Sequence, residues 1–335
     1  MKKIHLGLIG AGIAARDLHG PAIKALSDRY NIAAICSRTL DKAQALAAWY
    51  GLDVPCTDDW AEILSRADVD AVAAALPISL NAPVVQACVE AGKPVLVEKP
   101  IACSVEEAAQ VVRLAERRSI PIFVAENFRY SPDLLQAKEL IEAGEVGRMA
   151  LLRYNAIGLM TPDNKYMQTV WRQCPTHLGG FLSDGGVHNV AALRLLAGHV
   201  ARVQTFYTTI QPYLAGTDTM LINLQFVNGL IGQLSLGYGS VDPDGRKVKV
   251  YGEDGTVVIT RERIEIWKTD GKQRSEPVIG PSNFVSEFIA FYDAVIKGDK
   301  SPESARQALA DLRVIDAAIR SAENGGAPVD LTPPA

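Results

Sequence analysis

No stretch of this 335-residue chain is apolar for long enough to span a bilayer, so no membrane partner is expected. Neither sign of charge gathers in a long run, and 34 basic against 38 acidic side chains leave a formal charge of -4. That balance excludes the basic footprint of a nucleic-acid binder or of a protein drawn to anionic lipid. Cysteine is scarce: Cys36, Cys56, Cys88, Cys103 and Cys174 are odd in number and never in CxxC spacing. Such thiols point to the reduced cytoplasm, with neither a disulfide frame nor a metal site. The N-terminus, MKK before an apolar run, superficially mimics a secretory leader. His5 and a glycine turn interrupt it, and Arg16 and Asp17 follow without a small-residue cleavage pattern, so no leader is expected. There is no internal repeat and no low-complexity segment.

With 48% hydrophobic and 21% charged residues the composition is that of a globular protein, long enough for two domains. The organising stretch is Lys3 to Arg16. An apolar run, Ile4 to Ile9, meets Gly10 and Gly12 at once, with Ala15 beyond. A run so short that ends in glycines predicts a buried parallel strand turning into a helix. Gly10 suits a tight turn, Gly12 lacks a Cβ to hold off a pyrophosphate, and Ala15 allows close helix packing. Ile13 and Ala14 open the helix whose N–H groups would face the phosphates. This is a GxGxxA dinucleotide pattern, which a bare glycine turn also matches. Its place after a strand and before a helix favours the cofactor.

Strand and helix signals then alternate to about Val124. Strands are predicted at Ile32 to Cys36, Val69 to Leu76, Pro94 to Val97 and Pro121 to Val124. Helices are predicted at Asp41 to Tyr50, Asn81 to Ala91, after a capping box of Asp59 with Glu62, and after another of Ser104 with Glu107. The pattern is that of a doubly wound parallel sheet with ligands at the carboxyl ends of its strands. A nucleotide-binding domain is expected over residues 1–125 and an α+β substrate and oligomerisation domain, with a large, mostly antiparallel sheet, over 126–335. In the second part a helix is predicted at Leu134 to Ala143 and another at Val187 to Leu196. Between them lies a long segment, Met149 to Thr176, with Pro162 and Pro175. Six strands follow: Val203 to Ile210, Thr219 to Val227, Leu230 to Tyr238, Lys247 to Tyr251, Thr256 to Thr260 and Ile264 to Lys268. Asn228 and Gly229 suit a type I′ hairpin turn. Its strands pair an apolar face with a small polar one, either solvated or packed on a second copy. Helices Asn283 to Ile296 and Pro302 to Ala322 close the chain, with the option of packing back on the first domain.

The end of the second strand bears on the choice of nicotinamide cofactor. An acid there would accept from the ribose 2′-hydroxyl of NAD. Ser37 and Arg38 stand there instead, with Lys42 a turn later, which favours the 2′-phosphate of NADP over NAD unless Arg38 is only a solvated loop residue. Lys99, between Glu98 and Pro100 after a strand, would stand at the carboxyl edge of the sheet, placed to polarise a reacting oxygen. A cis bond at Pro100 is an uncommon alternative to trans. Asp184 and His188, in GGFLSDGGVH, share a face if the chain is helical there. Otherwise Asp184 caps the next helix and His188 is a satisfied core residue. An imidazole in a glycine-rich turn suits proton exchange with a hydroxyl.

Gly10, Gly12 and Ala15, with Pro77 to Pro83 (PISLNAP), Glu98 to Pro100 (EKP), Asn127 to Pro132 (NFRYSP) and Gly179 to His188, resemble the Gfo/Idh/MocA family along nearly the whole chain. The resemblance implies a Rossmann domain, a C-terminal sheet that forms a homodimer or homotetramer, and pyridine-nucleotide oxidoreduction of a sugar, polyol or related substrate. It places Lys99, Asp184 and His188 on catalytic positions. Leu76, Ile78, Asn81 and Glu98 would line the cofactor, and Trp171 with Arg172 would reach its nicotinamide end. The cluster Tyr166 to Arg172 would shape the substrate pocket. Asn81 replaces a commoner histidine and Ala191 a commoner acid. The family also holds nucleotide-binding regulators without turnover and nicotinamide-assisted glycosidases; retention of the lysine, aspartate and histidine argues against a regulator.

Overall fold

The computed structural model describes residues 2–118, 120–298 and 303–331, and the chain divides into two compact units. One comprises Met1–Asn127 with Ser282–Leu309, the other Phe128–Pro281 with Ala310–Ala335. The first holds strands β1 (Ile4–Ile9), β2 (Tyr30–Cys36), β3 (Cys56–Thr57), β4 (Ala71–Ala74), β5 (Val95–Glu98) and β6 (Ile122–Ala125). They form a parallel sheet in the order β3-β2-β1-β4-β5-β6. Strands covered on both faces read as unbroken apolar runs. Accordingly every residue of β4, β5 and β6 is buried except Glu98 at a strand end.

The strand order reverses between β1 and β4, and the chain leaves these two strands at Gly10 and Ala75. Gly10 has φ 103°, and a Cβ there would lie 2.2 Å from the Ala75 carbonyl oxygen. Both the turn and the close approach therefore demand glycine. The helix beyond begins at Ile13, opens into a π-type turn over Ala15–His19 and continues as α1 (Gly20–Ala25). Next come α2 (Leu40–Tyr50), stopped by Gly51 at φ 72°, then α3 (Trp60–Ser65), α4 (Asn81–Glu90) and α5 (Val105–Arg117). The two expected capping boxes form only in part. Asp59 accepts from the Ala61 N–H, but its own N–H donates to Thr57 Oγ1. Ser104 accepts from the Glu107 N–H, while the Glu107 carboxylate accepts from Cys103, one residue early.

The second unit holds a nine-stranded sheet built from β7 (Met149–Ile157), β8 (Val200–Thr208), β9 (Thr219–Phe226), β10 (Ile231–Gly237), β11 (Lys247–Gly252), β12 (Gly255–Ile259), β13 (Arg263–Lys268), β14 (Gln273–Pro277) and β15 (Val329–Asp330). The order is β14-β13-β12-β11-β7-β10-β9-β8-β15, antiparallel except for the β7–β10 pair. Strands β7, β14 and β15 lie where no strand is predicted. Only Leu152 and Tyr154 of β7 are fully buried, so its alternation is weak. The β9–β10 turn is not type I′, because Gly229 has φ 86° while Asn228 is outside the left-handed region. Gly229 N–H donates to Phe226 O, and Asn228 instead uses its side chain, donating to Ala197 O and accepting from Leu230 N–H.

Helices α6 (Pro132–Glu142) and α8 (Gly180–Ala197) pack together on one face of this sheet, with the short α7 (Val170–Gln173) before α8. Helix α8 starts seven residues ahead of the expected Val187, so the glycine-rich stretch is helix. A Cβ at Gly186 would lie 2.8 Å from Leu236 Cδ2, and one at Gly185 would lie 1.8 Å from the Tyr238 hydroxyl oxygen. These glycines let the helix close on β10 and the residue after it. Helix α9 (Asn283–Lys297) belongs to the first unit, where Phe288 and Phe291 are fully buried. The Phe288 ring meets His19 and Tyr30 edge-on at 5.3 and 5.8 Å. Helix α10 (Glu303–Glu323) begins in the first unit and ends in the second; the predicted start at Pro302 lies outside the described residues.

Gly10→Ala should destabilise the protein by about 2–4 kcal/mol, the sum of left-handed strain and backbone overlap. A lowered urea midpoint is the expected result, and an unchanged one contradicts this account of the turn.

Candidate active site

The carboxyl edge of the first sheet gathers most of the expected cofactor residues. The Gly10 N–H donates to Cys36 O at 2.8 Å, which sets the glycine turn beside the end of β2. Gly12 differs from Gly10: its φ is not left-handed, and a Cβ there would meet no protein atom within 4 Å. Neither the backbone nor internal packing requires glycine at this position. Close approach of a pyrophosphate would, and the residues present fit such a group. Ile13 and Ala14 are the first helical residues after it, and Ala15 is buried beneath. At the end of β2 the Ser37 N–H donates to Thr57 O. Arg38 and Lys42 are exposed, and neither side chain has a partner among the described residues.

Beyond β4, Leu76 is half-buried and Ile78 buried. Asn81, expected to line the cofactor, is fully buried and is occupied otherwise. Its amide donates to Glu98 O at 2.8 Å and to Pro100 O at 2.7 Å, bracketing Lys99, while its Oδ1 has no partner among the described residues. The Lys99–Pro100 bond is cis. Glu98 is drawn inward by His19, whose Nε2 lies 2.8 Å from Glu98 Oε1, and its Oε2 accepts from the Lys99 N–H. Behind this edge Glu287, on α9, is fully buried, and neither oxygen has a hydrogen-bond partner among the described residues. Burial holds its carboxyl protonated well above the ordinary range; Glu98 and Glu126 push the same way and Lys99 opposes them.

In the second unit Asp184 and His188 lie one turn apart within α8, so they share a face. Asp184 is the fifth residue of the helix, which removes the N-cap explanation. It is buried and accepts from Arg172 Nε at 2.7 Å. The same guanidinium lies 3.9 Å from the Trp171 ring centroid and 5.1 Å from that of Tyr166. Arg172, assigned from sequence to the nicotinamide end of a cofactor, is thus held by the acid and two aromatic faces. His188 is half-buried and stacks on Phe128, centroids 4.6 Å apart and planes 16° from parallel.

The sequence reading overlooked Tyr238, which follows β10. Its ring packs edge-on against Phe181 at 4.9 Å and its hydroxyl abuts Gly185, next to Asp184. Burial and the Asp184 charge push that hydroxyl above the usual phenol range. A lone aromatic between Gly237 and Gly239 at a strand end was the available signal. His19 and Glu287 were also missed, since the residues that surround them lie far off in sequence.

Models of two domains of one family match the chain. The oxidoreductase family's NAD-binding Rossmann fold covers residues 4–126, and its C-terminal alpha/beta domain covers residues 138–331. The chain belongs to the Gfo/Idh/MocA oxidoreductase family and is an NAD(P)-dependent dehydrogenase or reductase acting on CH–OH groups. A solved oxidoreductase from Thermotoga maritima is 36% identical, with TM-score 0.91 and 98% of each chain covered. D-xylose 1-dehydrogenase (NADP(+)) 2 of Haloferax volcanii is 29% identical over 96% of this chain and 98% of its own length. Levoglucosan dehydrogenase, solved with NADH and levoglucosan, shares the fold with TM-score 0.89 at 23% identity, covering 99% of this chain and 100% of its own. No helix among the described residues is long and apolar enough to cross a membrane.

Two outcomes follow from this geometry. Gly12→Ala should leave the unfolding free energy from urea titration within about 0.5 kcal/mol of wild type, as surface changes do, yet weaken nucleotide binding in a titration; unaltered affinity would sink the cradle. For Glu287 the folded pKa is raised, so its protonated form is the one folding favours. Its contribution is full below the unfolded pKa, near 4.3, and is lost as pH rises towards the folded value. Glu287→Gln should therefore gain in Tm over wild type between pH 5 and pH 8, whereas a constant difference would contradict a buried neutral acid.

Proposed function

We propose that the protein transfers hydride between NADP(H) and a carbon bearing a hydroxyl or carbonyl in a sugar, polyol or related molecule. The observation that carries this reading is Asp184 and His188 on one face of α8, the imidazole half-exposed and the acid held by Arg172. The nicotinamide supplies the hydride or accepts it. In oxidation His188 takes the hydroxyl proton as the C–H bond breaks, and in reduction it returns that proton to the oxygen. Lys99 donates a hydrogen bond to the same oxygen and so stabilises the charge that gathers there. Asp184, with the Tyr238 hydroxyl close by, binds a neighbouring substrate hydroxyl. Gly10, Gly12, Ile13 and Ala14 hold the pyrophosphate, Leu76 and Ile78 line the dinucleotide, and Glu98 fixes the backbone at Lys99.

The preference for NADP rests on Arg38, exposed and without a side-chain partner among the described residues, where an acid would otherwise select NAD. The haloarchaeal xylose dehydrogenase, NADP-linked by name, supports the same cofactor and substrate class. The reading also sets the domain boundary at residue 125, a cytoplasmic setting for five unpaired thiols, and homo-oligomerisation through the nine-stranded sheet.

Arg38→Ala should weaken NADP by about tenfold or more, the worth of a charge-assisted contact, and NAD far less. Equal losses in a binding titration would remove the 2′-phosphate site. Near-ultraviolet absorbance of reduced nicotinamide, followed with aldoses, ketoses and polyols, should show turnover that His188→Ala lowers by about 100-fold or more. Full turnover in that variant would refute the role of the histidine, and nucleotide binding with silence across the panel would favour a regulator.

A further inference from the structure

We propose that Phe128 is a positioning residue for His188, fixing the plane of the imidazole against a ring that is itself anchored by buried ion pairs. The inference rests on the reading of His188 as the proton-transfer group. Rotation about the last side-chain bond of histidine is soft, so the plane of an imidazole is set by the groups that surround it. Proton transfer needs a ring nitrogen aligned with the substrate oxygen, and the plane decides that alignment. A phenyl ring stacked 4.6 Å away at 16° restrains the plane without competing for either nitrogen.

The restraint is only as firm as the seat of Phe128, which lies on the single 3₁₀ turn Asn127–Tyr130. Its neighbour Arg129 donates to Asp311 Oδ2 at 2.5 Å, and the other oxygen of that carboxylate accepts from Arg194. Arg194 belongs to α8, six residues beyond His188, and Asp311 is buried. One carboxylate thus ties the turn that carries the phenyl ring to the helix that carries the imidazole. A second tether is Arg246, whose guanidinium lies 5.5 Å from the Phe128 centroid and pairs with buried Asp133 at the start of α6. Burial pushes Arg246 down to about 10, with Arg261 adding to the effect, so it stays cationic over the ring at neutral pH.

If Phe128 only fills space, leucine replaces it adequately; if it sets a plane, an aromatic ring is required. Phe128→Leu should lower kcat about tenfold while leaving KM for the nucleotide unchanged, and Phe128→Tyr should restore kcat to within about twofold. In proton spectra, where His188→Gln identifies the signals among five histidines, the His188 ring protons should be shifted upfield in wild type and in Phe128→Tyr. They should move downfield in Phe128→Leu. Wild-type signals without the upfield shift, or equal kcat for leucine and tyrosine beside an inactive His188→Ala, would overturn the positioning role alone. Full turnover in His188→Ala would overturn the underlying assignment and this proposal with it.

Discussion

The contact on which the first unit depends is the one between Gly10 and the Ala75 carbonyl. It sits where the strand order reverses, and it brings the chain leaving β1 so near the chain leaving β4 that a Cβ at position 10 would overlap the Ala75 carbonyl. Glycine at position 10 answers a demand of the backbone, whereas glycine at position 12 answers nothing inside the protein. The same turn bonds to the end of β2, so one glycine loop lies beside Ser37 and Arg38. The proposed preference for NADP rests on this topology: the residue after β2 is the one placed to meet the ribose, and Arg38 stands there.

In the second unit the corresponding constraint is the closeness of α8 to its sheet. Gly185 and Gly186 bring the helix against Tyr238 and Leu236, and that approach carries Asp184 and His188 with it. Charge compensation follows the same economy. Arg172 neutralises buried Asp184 and lies over Trp171, while Asp311 serves two arginines at once. Each of these pairs is costly to bury and more costly to break, because removing one partner leaves a bare charge in the interior.

Where a local pattern decides the structure, the sequence was legible. The strand Ile4–Ile9 and the alternating faces of β9 and β10 follow from unbroken or alternating apolar residues, and Gly51 ends α2 as its position implies. The start of α8 was hidden because Gly179, Gly180, Gly185 and Gly186 oppose helix locally and tertiary packing overrides them. Strand β7 was hidden because its neighbours, rather than its own alternation, make it a strand. Asn81 matched a family position, but nothing local tells that its amide turns inward to hold the backbone around Lys99. Glu287 and His19 belong to the same class: their surroundings come from residues distant in the chain.

Isotope transfer tests the central claim most directly. NADPH deuterated on the reactive face of its nicotinamide would be incubated with the protein and a carbonyl form of the candidate sugars, and the product examined by mass spectrometry and NMR. Direct hydride transfer predicts one deuterium on the carbon that becomes CH–OH, matched by its loss from the nucleotide. Product formed without label at that carbon, or nucleotide bound and returned with its deuterium intact across the whole panel, would contradict it.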